Sequence, residues 1–260
     1  MKYLFTILFT VLLAANVHAA IRTQSVEYKQ GDTVLEGYLA YDDAVKGVRP
    51  GVIVVHEWWG LNAYAKKRAD QLAQLGYVAF AADIYGKGVM AKTPQEAMEL
   101  SAKYRGGTDR TLLRSRALAA LDVLKKNTMV DPKRIAAIGY CFGGTAVLEL
   151  ARSGADIAGV VSFHGGLATP NPSDAKNIKA RVLALHGADD AYVKTDEVLA
   201  FQDEMRKAGV DWYMTSYANS VHGFTNAENG TDNSKGMAYN EKADRRSWQA
   251  MKDFFGEIFK

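Results

Sequence analysis

Short apolar runs alternate along this chain with longer stretches of helical periodicity. The apolar runs have the length of buried strands and lie at 52–55, 77–81, 135–138, 157–162, 182–185 and 212–217. Stretches with apolar residues at helical spacing separate them, at 63–75, 94–104, 111–126, 145–152 and 195–208. This alternation is typical of strand-helix-strand units. It predicts an α/β fold with a mostly parallel central sheet and helices on both faces.

The two ends of this pattern and one late segment differ from the rest. Residues 22–40 alternate apolar and polar positions, which predicts one or two edge strands before the parallel core. Residues 241–259 carry one apolar stripe and predict a final helix packed on the sheet. Residues 226–240 are rich in Asn, Gly, Asp and Ser. We interpret them as an exposed loop without a role, the alternative being that they border a site or act as a lid.

The first 19 residues have the pattern of a secretory signal. Lys2 supplies a positive start, residues 3–15 an apolar core, and residues 17–19 a small-residue cleavage pattern. We therefore expect a signal peptide at 1–19, one domain at 20–260, and export to the periplasm or the medium without stable membrane association. The alternative is an uncleaved membrane anchor.

Charge and composition limit the partners. The chain has 32 basic and 29 acidic residues, and a net charge of +3 gives no basic excess of the kind that binds nucleic acid. We expect a small-molecule substrate, no nucleic acid and a monomer. His56-Glu57-Trp58-Trp59 lacks the second histidine of a zinc-binding pair, so we expect neither a metal nor a cofactor.

The one cysteine of the chain lies between two glycines, after an apolar run and before a helical stretch. Gly139-Tyr140-Cys141-Phe142-Gly143 has the spacing of the sharp strand-to-helix turn that exposes a nucleophile, with cysteine in place of the usual serine. An exported protein exposes a lone thiol to oxidation, which favours a chemical role over packing. The alternative is a buried structural cysteine.

A cysteine nucleophile needs a base and an acid that orients the base. His222 follows the strand at 212–217, and Asp189 and Asp190 follow the strand at 182–185. This is the chain order nucleophile, acid, histidine of α/β hydrolases, in which each group follows a strand. Spacing alone does not distinguish Asp189 from Asp190. Three further histidines lie at strand ends, and we interpret them as hydrogen-bond partners of the loop backbone: His56, His164 and His186.

These segments together resemble the dienelactone hydrolase family. The resemblance runs from about residue 25 to the C-terminus and rests on 139–144, 56–62, 83–85, 187–190 and 222–224. It implies an α/β-hydrolase fold in which Cys141 is the nucleophile, His222 the base and Asp190 the acid. It also implies that Glu57 binds the resting thiol until substrate arrives. A carboxylate beside a thiol disfavours the thiolate by charge repulsion.

The same resemblance indicates the groups around the substrate. The backbone N–H groups of Trp58 and Phe142 would form the oxyanion hole. Members that act on dienelactone bind its carboxylate with two arginines, and this chain has Lys87 and Asn226 at those places. We therefore expect another substrate and a more apolar pocket. Lys87 and two aromatic residues, Tyr85 and Phe224, are its expected substrate-binding residues.

The sequence thus predicts an exported cysteine-dependent hydrolase of carboxylic esters or lactones. Two alternatives use the same residues. One is a thioesterase or peptidase, because thiol acyl chemistry does not fix the leaving group. The other is a ligand-binding or thiol-sensing protein on a hydrolase scaffold, which the intact order of Cys141, Asp190 and His222 disfavours.

Overall fold

The computed structural model describes residues 20–260, so the predicted signal segment 1–19 lies outside the described residues. One sheet of eight strands forms its centre, in the order β1-β2-β4-β3-β5-β6-β7-β8. The strands are β1 (Ile21–Gln30), β2 (Thr33–Asp42), β3 (Arg49–Val55), β4 (Val78–Ala82), β5 (Val130–Tyr140), β6 (Gly159–Phe163), β7 (Arg181–Gly187) and β8 (Trp212–Tyr217).

The sheet is parallel except at one edge. β1 and β2 form an antiparallel hairpin, and β2 pairs antiparallel with β4. All other neighbours, from β4 through β3 to β8, are parallel. The central strands β3, β4 and β6 are buried at all but one position because helices cover both faces, which explains their continuous apolar runs. The predicted mostly parallel sheet with edge strands at its start is confirmed.

Six helices cover the sheet: α1 (Ala63–Gln74), α2 (Pro94–Arg105), α3 (Thr111–Lys125), α4 (Phe142–Arg152), α5 (Thr195–Ala208) and α6 (Glu241–Ile258). α1 and α6 pack on one face, where Leu72 and Phe255 join a cluster with the side chains of Val52 and Val54. The other four pack on the opposite face around Leu121, with α4 and α5 contributing further apolar side chains. Within residues 20–260, no helix has the length and apolar content needed to cross a bilayer.

Two segments differ from their predicted bounds in a way that matters for the site. β5 continues to Tyr140, and α4 begins at Phe142 rather than at residue 145. One residue, Cys141, therefore connects strand and helix. The segment 226–240 forms two short 3-10 turns, Ala227–Asn229 and Asn233–Lys235.

The carboxyl ends of the parallel strands gather the polar residues of interest. Glu57 lies just beyond β3, Cys141 directly after β5, Asp190 in the loop after β7, and His222 in the loop after β8. Parallel strands end at the same edge of a sheet, so four segments distant in sequence meet there.

Candidate active site

The backbone at Cys141 makes a sharp and strained turn. Its φ of 52° and ψ of −112° lie outside the regions that non-glycine residues favour. A Cβ on Gly139 would lie 1.9 Å from the carbonyl oxygen of Gly143, and a Cβ on Gly143 would lie 2.2 Å from that of Val55. Only glycine fits at both positions, as their spacing predicts.

Neighbouring groups hold this turn in place. The amide N–H of Cys141 donates to the carbonyl of Phe163 at 3.0 Å and to Nδ1 of His164 at 3.1 Å. Nε2 of His164 lies 2.7 Å from the hydroxyl of Thr225, in the loop that follows His222. Burial is the main cause that lowers the pKa of His164 well below its usual value. The neutral imidazole of His164 therefore connects the turn to the histidine loop.

His222 and Asp190 form the second part of the site. Nδ1 of His222 lies 2.8 Å from Oδ2 of Asp190, which leaves Nε2 for the thiol. The other oxygen of Asp190 accepts from the amides of Tyr192 at 2.9 Å and Val193 at 3.3 Å. Asp189 is exposed. Of the two candidate acids, Asp190 therefore has the orientation that a histidine partner requires.

The charge of His222 depends on both neighbours. Burial opposes its protonation, but attraction to Cys141 and hydrogen bonding with Asp190 and Cys141 outweigh burial and raise the pKa of His222 well above its usual value. An imidazole with this bias readily accepts a proton from a thiol. The pair has the polarity that nucleophilic sulfur chemistry needs.

Glu57 is fully enclosed and has an amide partner. Its Oε2 accepts from Nδ2 of Asn226 at 2.8 Å. Burial raises the pKa of Glu57 to about 7, with Asn226, His222 and Arg68 opposing the shift. The hydrogen bond to Cys141 that the resemblance implies is not found among residues 20–260. Oε2 of Glu57 accepts from Asn226 instead, and Cys141 lines a cavity together with His222.

The two expected oxyanion amides belong to different segments of the chain. Phe142 is the first residue of α4, where backbone N–H groups have no partner within the helix and the helix dipole is positive. Trp58 lies in the loop after β3, and its carbonyl accepts from the hydroxyl of Tyr85 at 3.0 Å. Both residues line the cavity at Cys141. Tyr85 therefore supports the Trp58 loop and does not line the cavity.

A cavity of about 240 Å³ opens at the thiol. Its lining is mostly apolar and consists of Trp58, Met98, Arg105, Cys141, Phe142, Thr145, Gly166, Tyr192, Val193, His222 and Met237. Met237 also pairs through its backbone with His222. The interpretation of 226–240 as a loop without a role is therefore wrong, because Met237 borders the cavity and Asn226 contacts Glu57.

The other two expected substrate-binding residues, Lys87 and Phe224, do not line this cavity either. Lys87 is exposed and forms ion pairs with Glu27 and Glu36 on the β1–β2 hairpin, so its charge is already matched there. Phe224 is fully buried and packs on His164 at 5.1 Å between ring centroids. Phe224 thus supports the floor of the site instead of contacting a ligand.

Several residues that line the cavity have no distinguishing pattern in the sequence. Met98 and Arg105 come from α2, and Thr145 and Met237 from α4 and the late loop. Their contribution depends on how helices and loops fold back over the sheet edge. No cluster of three or more His, Cys, Asp or Glu that could hold a metal ion occurs within the described part of the chain.

The fold and this arrangement define an α/β hydrolase, and comparisons with known proteins give the family. Residues 35–259 match the model of the dienelactone hydrolase family. The chain is 33% identical over 207 residues to "Protein usf" of Aquifex pyrophilus, covering 78% of this chain and 87% of that protein. It is 30% identical over 244 residues to a "Putative carboxymethylenebutenolidase" of Aquifex aeolicus, covering 91% and 99%.

Comparison with solved structures gives the same family. A dienelactone hydrolase-like promiscuous phosphotriesterase from metagenomic libraries superposes with a TM-score of 0.87 at 41% identity, over 93% of this chain and 100% of that one. The chain therefore belongs to the dienelactone hydrolase family and is a hydrolase of that type.

The buried carboxyl of Glu57 predicts a pH-dependent stability difference. Its pKa is about 7 in the folded state against a usual 4.5, so the folded state binds this proton more tightly. Stability from this group is therefore full below pH 4.5 and lost as pH rises towards 7. As pH rises from 4.5 to 7, we expect the free energy of unfolding of Glu57→Gln to increase by about 3 kcal/mol relative to that of the wild type. Above pH 7 this difference should stay constant.

Urea unfolding of both proteins at a series of pH values measures this difference. Glu257→Gln, at an exposed position of α6, serves as the control and should follow the wild type. Parallel stability curves for the wild type and Glu57→Gln would show that Glu57 has an ordinary pKa.

Proposed function

We propose that this protein is a cysteine-dependent hydrolase of carboxylic esters or lactones with Cys141, His222 and Asp190 as its catalytic triad. One observation carries the proposal: the thiol on a strained strand-to-helix turn lines the same cavity as a histidine whose Nδ1 lies 2.8 Å from a buried aspartate. Each element of thiol acyl transfer is thereby present in one place.

In the first half-reaction the enzyme is acylated. His222 takes the thiol proton on Nε2, and Sγ of Cys141 attacks the carbonyl carbon to form a C–S bond. Asp190 stabilises the resulting imidazolium through Nδ1. The tetrahedral intermediate collapses by breaking the C–O bond of the ester, and the imidazolium gives its proton to the leaving alkoxide.

Water completes the reaction. His222 removes a proton from a water molecule, whose oxygen attacks the thioester carbon. The C–S bond then breaks, the released thiolate of Cys141 takes the proton from the imidazolium of His222, and a carboxylic acid leaves. In both steps the amides of Trp58 and Phe142 would bind the oxyanion, aided by the positive end of α4. No cofactor enters this scheme.

We propose Glu57 as a fourth member of the site that acts through charge. Its carboxylate attracts the imidazolium of His222, and this attraction lowers the pKa of Glu57 against the effect of burial. The ionised form therefore favours the imidazolium, whereas the protonated form does not. Because the pKa of Glu57 is about 7, its influence changes near neutral pH.

The volume of the cavity favours small substrates. Its 240 Å³ is below the range of about 300 to 1,000 Å³ that is typical of drug-sized ligands. Trp58, Phe142 and Met237 give it apolar walls. The name of the Aquifex aeolicus relative supports a lactone. Dienelactone itself is not proposed, because Asn226 is engaged with Glu57 and Lys87 with Glu27 and Glu36.

Substitutions in the triad test the proposal. Cys141→Ala removes the nucleophile, and Asp190→Asn leaves a group that cannot stabilise the imidazolium. We expect both to lower kcat by about 10²- to 10⁴-fold on a panel of aryl esters and lactones. Initial rates at saturating substrate, corrected for spontaneous hydrolysis, provide the measurement.

Asp189→Asn is the matched control, since it makes the same chemical change one residue away on an exposed side chain. Its kcat should stay within about twofold of the wild type, as surface substitutions do. Equal turnover by Cys141→Ala and the wild type would disprove the cysteine mechanism. Equal losses of kcat in Asp189→Asn and Asp190→Asn would contradict the assignment of Asp190 as the acid of the triad.

We further propose that the protein is exported after loss of its first 19 residues. The support is the basic, apolar and small-residue order of Lys2, residues 3–15 and residues 17–19. Expression of the full chain in a bacterium, followed by fractionation and intact mass, should give a periplasmic or secreted protein that begins at Ala20. An uncleaved chain in the membrane or the cytoplasm would contradict export.

A further inference from the structure

The imidazole of His164 lies between the two halves of the candidate triad. His164 follows β6, which is placed in the sheet between β5, the strand of the nucleophile, and β7, the strand of the acid. Its Nδ1 lies 3.1 Å from the amide nitrogen of Cys141, and its ring packs edge-on with that of His222 at 5.4 Å between centroids. The side chain is fully buried. One ring therefore contacts both the nucleophile turn and the base.

The contact with Cys141 fixes the position of the proton on this ring. A backbone N–H group can only donate, so Nδ1 of His164 accepts and carries no proton. Burial, which lowers the pKa of His164 well below its usual value, keeps the ring neutral. The proton of the neutral ring therefore lies on Nε2, which donates to Oγ1 of Thr225 at 2.7 Å.

Helices α1 and α6 hold Thr225 in place. Its Oγ1 lies 2.6 Å from the hydroxyl of Tyr64, and its carbonyl accepts from Nη2 of Arg68 at 2.9 Å. Arg68 also forms an ion pair with Asp244 of α6. Thr225, Tyr64 and Arg68 are all buried. Because both the backbone and the side chain of Thr225 have partners, the position of its hydroxyl is well defined.

The hydroxyl of Thr225 belongs to the same loop as the base. His222 and Thr225 lie close together in the segment that follows β8. A shift of this segment that displaces His222 would also stretch the bond between Thr225 and His164, and through His164 it would disturb the amide of Cys141. This bond is therefore a direct link between the loop of the base and the turn of the nucleophile.

We propose that Thr225 and His164 are positioning residues, which set the place of His222 relative to Cys141 through the hydrogen bond that they share. This inference rests on the proposed hydrolase function and adds two residues that act on its triad. Neither side chain lines the cavity, so substrate binding should not depend on them. The chemical step should, because a misplacement of reacting groups by about 1 Å can cost about 10²-fold in rate.

A purely structural role of the two side chains predicts a different result. Loss of a buried hydrogen bond lowers the free energy of unfolding wherever the bond lies. A structural role would therefore leave kcat of the folded protein unchanged. A positioning role lowers kcat of fully folded protein and leaves KM unchanged. Urea unfolding measured beside the kinetics separates the two.

Substitutions at Thr225 remove or keep the hydroxyl. Thr225→Val has nearly the same shape without the hydroxyl and should lower kcat for 4-nitrophenyl acetate about tenfold, with KM within about twofold. Thr225→Ser keeps the hydroxyl and should stay within about threefold of the wild type. Thr231→Val makes the same change at an exposed position further along the loop and should stay within about twofold.

His164→Asn removes the same bond from its other end. Asparagine can place an oxygen where Nδ1 accepts from Cys141, but it does not extend to the position of Nε2. It also tolerates the left-handed φ of 41° at His164, so this variant should fold. We expect kcat to fall about tenfold at unchanged KM. If Thr225→Val does not fold, His164→Asn tests the shared bond by itself.

The double variant His164→Asn/Thr225→Val shows whether the two residues act through one bond. Each single variant already lacks that bond, so the double variant should have a kcat within about twofold of the lower single variant. Independent effects would multiply to a loss of about a hundredfold.

Alkylation of Cys141 gives a second measurement that needs no ester. Cys141 is the one cysteine of the chain, so iodoacetamide has a single thiol to label. A histidine held close to a thiol favours the reactive thiolate. Thr225→Val and His164→Asn should therefore slow alkylation at pH 7 severalfold, whereas Thr231→Val should not.

The outcomes distinguish this inference from the function beneath it. Wild-type kcat and alkylation in His164→Asn would overturn the inference, as would equal losses in Thr225→Ser and Thr225→Val, or losses that multiply in the double variant. The hydrolase proposal survives these results as long as Cys141→Ala is inactive. If Cys141→Ala hydrolyses 4-nitrophenyl acetate as fast as the wild type, the hydrolase proposal fails, whereas slowed alkylation in both single variants would still support the link.

Discussion

The site depends on one backbone constraint, the left-handed turn at Cys141 between β5 and α4. The turn exists because Gly139 and Gly143 let strand and helix backbones approach to distances that a Cβ would block. A non-glycine residue with positive φ costs on the order of 1 to 3 kcal/mol. The surrounding sheet and His164 hold the strained residue in place, and the strain presents the thiol above the sheet edge beside the first amides of α4.

The order of the strands in the sheet brings the partner residues close to the thiol. β3, β5, β7 and β8 end at one edge, and their following loops bring Glu57, Asp190 and His222 towards Cys141. Glu57 is enclosed at this edge, and burial raises its pKa to about 7, although the side-chain amide of Asn226 donates to its Oε2 and opposes the shift. One loop thus supplies both the histidine and, four residues later, an uncharged hydrogen-bond partner for the carboxyl.

Sequence reasoning predicts the parts of this site that periodicity and strand ends specify. The strand before Cys141 and the order of Asp190 and His222 follow from local pattern, as does the sheet itself. The ion pairs of Lys87 cannot be predicted in this way, because its partners Glu27 and Glu36 belong to a hairpin whose position depends on the whole fold. Arg105 is not found either, since a basic residue at a helix end looks like any solvated one until α2 is placed over the cavity.

Trapping of the acyl-enzyme shows directly whether Cys141 is the nucleophile. The protein is mixed with activated esters and lactones, quenched in acid within the first turnovers, and examined by intact mass and peptide mapping. We expect one acyl group, held as a thioester on the peptide that contains Cys141, and none on Cys141→Ala. Turnover with an acyl group on another residue, or with no adduct even when water attack is slowed, would contradict a cysteine nucleophile.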